Sequence, residues 1–288
     1  MNYILYNPLS SNGTSQKHVH IIEDILKKDN KEYEVIDLVE AAKNIDFYAK
    51  KIHRNDTMII VGGDGTLHRF VNGIKHIQNN SKVYLYRGGT GNDFSRDFPK
   101  EKLIDITEKI QNLPTVTIDG DEELFLNGCG FGVDGEVCVM VNDKANKKKG
   151  LNYFKSAIML LKRFKCYDLE MTVDGVRHTF KKVWFTVVNN GKYFGGGMKI
   201  TPMSDRNDRI LEACVVHSVS FWKILLIFPL IFIGKHMWFK HVGISVIKGQ
   251  NFKVSASAPQ VFQTDGEVLK DVQEFEINIT AKQVRGCA

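Results

Sequence analysis

The chain has 288 residues, 43% hydrophobic and 25% charged, with a formal net charge of +6, 24 glycines, 6 prolines and 5 cysteines. This composition excludes a disordered or fibrous chain, and the odd number of scattered cysteines with no C-x-x-C pair excludes a disulfide scaffold or a zinc module. The length suffices for two domains, and the positive balance favours an anionic partner (a nucleotide, a nucleic acid or an acidic membrane) without choosing among them.

The opening MNYILYNPLSSNG lacks the basic segment and long apolar core of a signal peptide. It reads as a first strand over Tyr3–Tyr6, and together with the cysteine usage it points to a reducing cytoplasm. QKHVHIIEDILKK carries Val19, Ile22, Ile25 and Leu26 at helical spacing, YEVIDL reads as a second strand and AAKNIDFYAKKI as a second helix. TMIIVGG is a third strand running into a glycine turn, LHRFVNGIKHI a third helix and SKVYLY a fourth strand. Strands separated by helices predict a parallel sheet with helices on both faces and a ligand site beyond the strands' carboxyl ends. From about Leu113 the pattern changes to short alternating runs, TVTID, ELFLNGCGFG, YDLEMTVDG, KKVWFTVVNN, RILEACVV, GISVIKG, NFKVSAS and EFEINIT, which predict an antiparallel sandwich or barrel. The expected domains are therefore residues 1–115, three-layer α/β, and 116–288, an antiparallel β-sandwich, with the boundary near Pro114.

Two stretches stand apart. DKANKKKGLNYFKSAIMLLKRFK is helical in pattern and holds eight Lys or Arg between Lys144 and Lys165, as either a solvated helix face or a membrane-docking patch. FWKILLIFPLIFIGKHMWFK contains an uncharged run of ten, Ile224 to Ile233, whereas a spanning helix needs about 20 residues. It reads as a non-spanning segment, and a core element or a partly exposed lipid-facing surface both satisfy it.

Four short stretches carry the chemistry. NPLSSNG (Asn7 to Gly13) follows the first strand and offers hydroxyls, an amide and a glycine where backbone N–H groups can hold phosphate oxygens, although ordinary helix caps use the same residues. GGDGT (Gly62 to Thr66) follows the third strand and GGTGNDFSR (Gly88 to Arg96) the fourth, and two such turns at successive strand ends describe a nucleotide cleft. An aspartate among glycines should repel a phosphate unless metal or water stands between them. FQTDGEVL places Asp265 and Glu267 on either side of a glycine, which by itself reads as a β-hairpin with a D-G turn.

Taken in this order over nearly the whole chain, NP…S, GGDGT, GTGNDF and the late TDGE resemble the bacterial soluble diacylglycerol kinases and their sphingosine and ceramide kinase relatives. FLNGCGFGVDGEV, NNGKYFGGGMKITP and GKHM add family-like stretches. The resemblance implies a nucleotide-binding domain joined to a β-sandwich with the active site in the cleft between them, and ATP and Mg²⁺ as cofactors. Asn7, Pro8, Ser10, Ser11, Gly62, Gly63, Asp64, Gly65, Thr66, Thr90, Asn92 and Asp93 would bind ATP, with Asp64 near the β- and γ-phosphates. The family's catalytic carboxylates match Asp265 and Glu267, with Glu267 taken as the base on the resemblance alone; the residues themselves leave the two roles unassigned. A structural magnesium site would use Asp205, Asp208 and the carbonyl of Ile210, but Arg209 stands where a glycine is common, so an ion pair or a surface turn is the alternative. Ser11 and Asn12 also delay the glycine of the first loop.

The implied partners are ATP and a lipid acceptor, most simply diacylglycerol, reached by peripheral association with the membrane. Lys147, Lys148, Lys149, Trp222 and Trp238 are candidates for that contact, and the sandwich interior is an alternative place for an acyl chain. The alternatives are a kinase of a sphingoid base, another lipid alcohol or NAD, and a non-catalytic nucleotide- or lipid-binding protein, which the intact Asp64, Asp265 and Glu267 argue against. Nucleic acid is not an expected partner, because the basic cluster lacks stacking aromatics on strands. A homodimer is compatible with the sequence.

Overall fold

Short apolar strands build the first sheet: β1 (Asn2–Tyr6), β2 (Tyr33–Asp37), β3 (Thr57–Gly62), β4 (Lys82–Arg87) and β5 (Leu103–Asp105), in the order β2-β1-β3-β4-β5. The computed structural model describes residues 1–8, 15–41, 52–53, 55–75, 81–89, 92–142 and 151–279. The chain divides into two compact units, Met1–Leu113 and Pro114–Ala288.

In the first unit β1 to β4 run parallel, so the carboxyl ends of the adjacent β1, β3 and β4 share one edge; β5 is antiparallel to β4. Helix α1 (Ser15–Lys28) lays Val19, Ile22 and Leu26 on Ile4, Ile59 and Val61, while Ile25, which shares the apolar pattern, is half exposed. The short helix α2 (Leu38–Ala41) follows β2 directly, and the helix expected over AAKNIDFYAKKI lies mostly outside the described residues. Helix α3 (Asp64–Gly73) leaves the first glycine turn, α4 (Asp93–Arg96) the second, and α5 (Thr107–Gln111) follows β5.

The second unit is an antiparallel sandwich of β6 (Thr115–Ile118), β7 (Asp121–Leu124), β8 (Gly128–Gly132), β9 (Tyr167–Val173), β10 (Val176–Asn189), β11 (Leu211–His217), β12 (Ile244–Gly249), β13 (Asn251–Thr264) and β14 (Glu267–Asn278). The long strands β10 and β13 each pair with β9 through their first halves and with β8 through their second, with register breaks between. Such bulges let a strand pass from one layer to the other. Between the layers Phe131, Phe262 and Phe275 touch edge-on or tilted, and each is at most 1% exposed. These three rings fill this part of the interior. ELFLNGCGFG, which reads as one strand, is split into β7 and β8. Helices α6 (Val133–Asn142), α7 (Leu151–Arg163) and α8 (Phe221–Ile231) and a 3-10 segment, Lys235–Val242, complete the unit. Pro229 lies in the last turn of α8, where its missing N–H costs the helix one i→i−4 bond; only in the first turn is an N–H unpartnered anyway. Cys129, Cys138, Cys166 and Cys214 are free thiols. No helix among the described residues is long and apolar enough to cross a membrane.

Candidate active site

The two glycine turns of the first unit are packed against each other. Gly88 donates its N–H to the carbonyl of Gly62 at 3.1 Å, and a Cβ built on Gly89 would stand 2.3 Å from the Cα of Gly63. Only two glycines allow that backbone approach. Asp64, the first residue of α3, reaches across to the second turn: its carboxylate accepts the N–H of Asp93 at 2.7 Å and of Phe94 at 3.0 Å. It thus caps α4, whose own N-cap residue, Asn92, sits in the left-handed region with φ 50° and supplies no side-chain cap. Asp93 is buried and pairs with Arg96 at 3.3 Å. Arg87, not singled out by the sequence reading, donates one nitrogen to the carbonyls of Ser95, Phe98 and Pro99 at 2.6, 3.2 and 2.7 Å, closing the far side of the same turn. Asn7 and Pro8 follow β1 at the same edge, since Tyr6 pairs with Val61 beside Gly62. Thr66 is buried under the turn and Gly65 is open. The sheet therefore gathers Asn7, Pro8, Gly62 to Thr66, Asn92 and Asp93; Ser10, Ser11 and Thr90 lie outside the described residues.

In the second unit β13 turns into β14 through Asp265 and Gly266, with φ of 49° and 95° and Thr264 paired to Glu267. This is the two-residue I′ hairpin that a D-G pair favours. Its tip is anchored far away in sequence. The Asp265 carboxylate accepts the N–H groups of Leu126 (2.6 Å), Asn127 (2.8 Å) and Gly128 (3.3 Å), and the Asp265 N–H donates to the Gly128 carbonyl at 3.1 Å. Two of these residues also receive Arg206, which donates to the Leu126 carbonyl and, at 2.6 Å, to the Asn127 side chain, and Asn190, which donates its backbone N–H to the Asn127 carbonyl at 2.8 Å. So FLNGCG, NNGKYFGGG and TDGE form one polar cluster, with Glu267 exposed beside it. Arg206 and Asn190 were not singled out as site residues in the sequence because their partners, Leu126 and Asn127, are remote along the chain, Leu126 lying 64 residues from Asn190 and 80 from Arg206.

The loop of the expected second metal site is built as two Asx turns. Asp205 accepts the N–H and side-chain amide of Asn207 at 3.0 and 2.6 Å, and Asp208 accepts the N–H of Ile210 at 2.8 Å, each through one oxygen. Arg209 is left-handed at φ 56°. The cation in electrostatic range of Asp208 is Lys248, which bonds Glu212 at 2.7 Å; that pair holds the lysine's pKa above its usual value, with Asp208 adding a smaller pull. Among the described residues no group of three or more His, Cys, Asp or Glu side chains comes together as a metal site. The hard oxygen donors of Asp205, Asp208 and Ile210 suit Mg²⁺ in type, since the second oxygen of each carboxylate stays out of the turn's bonds.

Asp134, near the start of α6, is a further group that the sequence reading missed. Both its carboxylate oxygens are buried, and the N–H groups of Asp134 and Gly135 and the Gln263 amide lie near without reaching hydrogen-bond geometry. Burial pushes the carboxyl up to about 6, those neighbours pulling the other way. A raised acid pKa means that the folded state holds its proton more tightly than the unfolded chain. The sandwich therefore loses stability as pH rises from the unfolded value near 4 to about 6, and stays lower above it. Asp134→Asn is expected to raise the thermal midpoint at pH 7.5, by roughly 1–3 kcal/mol of stability, and to leave it unchanged near pH 4, as calorimetry at the two pH values would show. Close by, an open cavity of about 860 Å³ lies between α7, the start of β9 and Ser257 to Gln260 of β13, with Met159, Leu160, Phe164, Tyr167 and Pro259 on its walls.

Comparison with known proteins places this architecture. Residues 2–120 match the diacylglycerol kinase catalytic domain, and residues 127–281, more than half of the chain, match the YegS C-terminal NAD kinase beta sandwich-like domain. YtlR of Bacillus subtilis (strain 168), whose name proposes a lipid kinase, is 29% identical over 236 residues, 74% of each chain. The diacylglycerol kinase of the same organism is 25% identical over 273 residues, covering 92% of this chain and 88% of its own. The crystal structure of a proposed diacylglycerol kinase from Bacillus anthracis str. Sterne shares the fold with a TM-score of 0.72 at 23% identity, over 96% of this chain and 91% of that one. With both halves matched in order, the chain belongs to the bacterial diacylglycerol kinase family of lipid kinases.

Proposed function

We propose that the protein is an ATP- and Mg²⁺-dependent lipid kinase that transfers a phosphoryl group to the hydroxyl of diacylglycerol, yielding phosphatidic acid. The observation that carries this reading is the pair of glycine turns locked together by Gly63, Gly89 and Asp64 at the carboxyl edge of a parallel sheet. Such an edge offers backbone N–H groups to a phosphate chain. Phosphoryl transfer asks little covalent chemistry of the protein, so positioning and charge neutralisation supply the rate. Asp64, a hard oxygen donor in the first glycine turn, is the residue to hold Mg²⁺ on the phosphates, whose charge that ion neutralises. Glu267 takes the proton of the acceptor hydroxyl, and Asp265 fixes the hairpin that presents it. The cavity beside α7, lined by Met159, Leu160, Phe164 and Pro259 together with charged Glu136, Arg163 and Lys165, has the size for part of an acyl chain and cations for a headgroup. The names of the relatives support a lipid as acceptor.

Gly65 separates ligand from scaffold. A Cβ there meets nothing within 4 Å. Gly65→Ala should therefore keep or raise stability, by up to about 1 kcal/mol from helix propensity, while raising the KM for ATP if the phosphates pass over this turn. Thermal melting and initial rates on one preparation read both signs.

The reading itself is tested by ADP release from Mg-ATP with diacylglycerol in mixed micelles containing anionic lipid, beside sphingosine, NAD and no-acceptor reactions. Turnover with diacylglycerol alone is expected. Turnover with another acceptor would keep the kinase and replace the substrate, and a flat result throughout would remove the catalytic reading.

A further inference from the structure

Between Ala213 and Thr264 the sequence holds no aspartate or glutamate. In the middle of that stretch lie α8 and the 3-10 segment Lys235–Val242, which pack on each other and on the sandwich. Their inner side is ordinary core: Ile227 and Ile231, with Ile224 and Phe239 partly buried, join Trp184, Val187 and Phe194. Their outer side is not ordinary. Trp222 is 76% exposed, Leu226 71%, Ile233 58% and Trp238 73%. At about 100° per residue Trp222 and Leu226 fall on one face of α8, opposite Ile224, Ile227 and Ile231, and Ile233 follows two residues past its end. A surface helix normally turns charge outward, and a contiguous exposed apolar face marks a docking site.

The polar groups around this face choose its partner. Lys223, Lys235 and Lys240 are exposed, and none of them forms an ion pair among the described residues. Lys235 holds its ammonium 4.9 Å from the centre of the Trp238 ring, so a cation and an amphipathic ring stand together at the edge of the patch. Cations around an apolar face, in a stretch of chain that holds no carboxylate, complement a layer of phosphates above acyl chains. The 11 residues of α8 reach only about 16 Å, too short to cross a hydrocarbon core of about 30 Å.

We propose that the outer face of α8 and the 3-10 segment is a membrane-docking surface: Trp222, Leu226, Ile233 and Trp238 sink into the outer acyl region of an anionic bilayer while Lys223, Lys235 and Lys240 lie at its phosphates. The surface deepens the lipid-kinase reading, on which it rests in one respect, that an acceptor held in a bilayer gives the enzyme a reason to land there.

The test is co-sedimentation of the full chain with vesicles of phosphatidylcholine, with and without about 30 mol % phosphatidylglycerol, in the absence of ATP and acceptor. The wild type is expected to sediment with the anionic vesicles and to release as salt rises. Its tryptophan emission should shift to the blue, because two of its three tryptophans, Trp222 and Trp238, are exposed and Trp184 is buried. Trp222→Ser/Leu226→Ser/Trp238→Ser should weaken partition at least about tenfold, and Lys223→Gln/Lys235→Gln/Lys240→Gln should remove the preference for anionic lipid. Both sets of positions are exposed, and a wild-type thermal midpoint confirms that each variant folds. Wild type left in the supernatant, or an apolar triple variant that partitions like wild type, would overturn the proposal. So would a dimer in light scattering that the apolar variant dissolves, which would give the face to a second copy. Vesicle binding without turnover on any acceptor sinks the kinase and keeps the surface; turnover on micellar acceptor without vesicle binding does the reverse.

Discussion

Glu267→Gln is expected to lower turnover on the lipid acceptor by about 10²- to 10⁴-fold while the thermal midpoint moves by no more than about 2 °C. The asymmetry follows from the side chain's position. Glu267 is the first residue of β14, and its ladder partner is Thr264 through the backbone. Its side chain is exposed, so an isosteric amide leaves the I′ turn and the strand pairing as they are. The amide lacks the basic lone pairs that accept a proton as the hydroxyl attacks. The KM for ATP should hold, because no part of the glycine turns is touched. Rates near wild type would place the base elsewhere. A collapse of the thermal midpoint would show that Glu267 supports the hairpin rather than the chemistry.

What could be read from the sequence was what repeats locally. Apolar runs ending in glycine mark β1, β3 and β4, and their parallel pairing brings both glycine turns to one edge. The D-G pair announced a hairpin, and a hairpin is there. What stayed hidden depends on distance or brevity. Leu103 to Asp105 is too short for a periodic signal, and its antiparallel pairing with β4 has no local cause. VDGEVCVMV is rich in β-branched residues yet forms α6, where tertiary packing outweighs propensity. FWKILLIFPLI, apolar except for Lys223, satisfied both a core element and a lipid-facing one, and α8 has a buried face and an exposed apolar one. Asp64 was legible as an acid among glycines, whereas its bonds to Asp93 and Phe94, 29 and 30 residues on, were not. Asp134, Arg87 and Arg206 act on or through buried surroundings that only the fold assembles.

Asp265→Ala is expected to cost the second unit about 3–5 kcal/mol, a fall of roughly 10 °C in its thermal midpoint, so that lost activity in this variant is mostly lost structure. The carboxylate is the acceptor for three consecutive N–H groups, and Leu126, Asn127 and Gly128 are all buried. Alanine leaves those donors without the oxygen that satisfies them, and water cannot replace it at fully enclosed backbone. Alanine must also adopt φ 49°, a left-handed conformation that aspartate and asparagine tolerate and that costs alanine about 1 kcal/mol more. Asp265→Asn separates the contributions: it keeps the turn conformation and one carbonyl acceptor while removing the charge, and should lose only about 1–2 kcal/mol. If the asparagine variant is folded and still inactive, the charge of Asp265 serves the reaction as well as the fold. If it is folded and active, Asp265 acts by holding the hairpin against residues 126–128, and Glu267 is the carboxylate that does the chemistry.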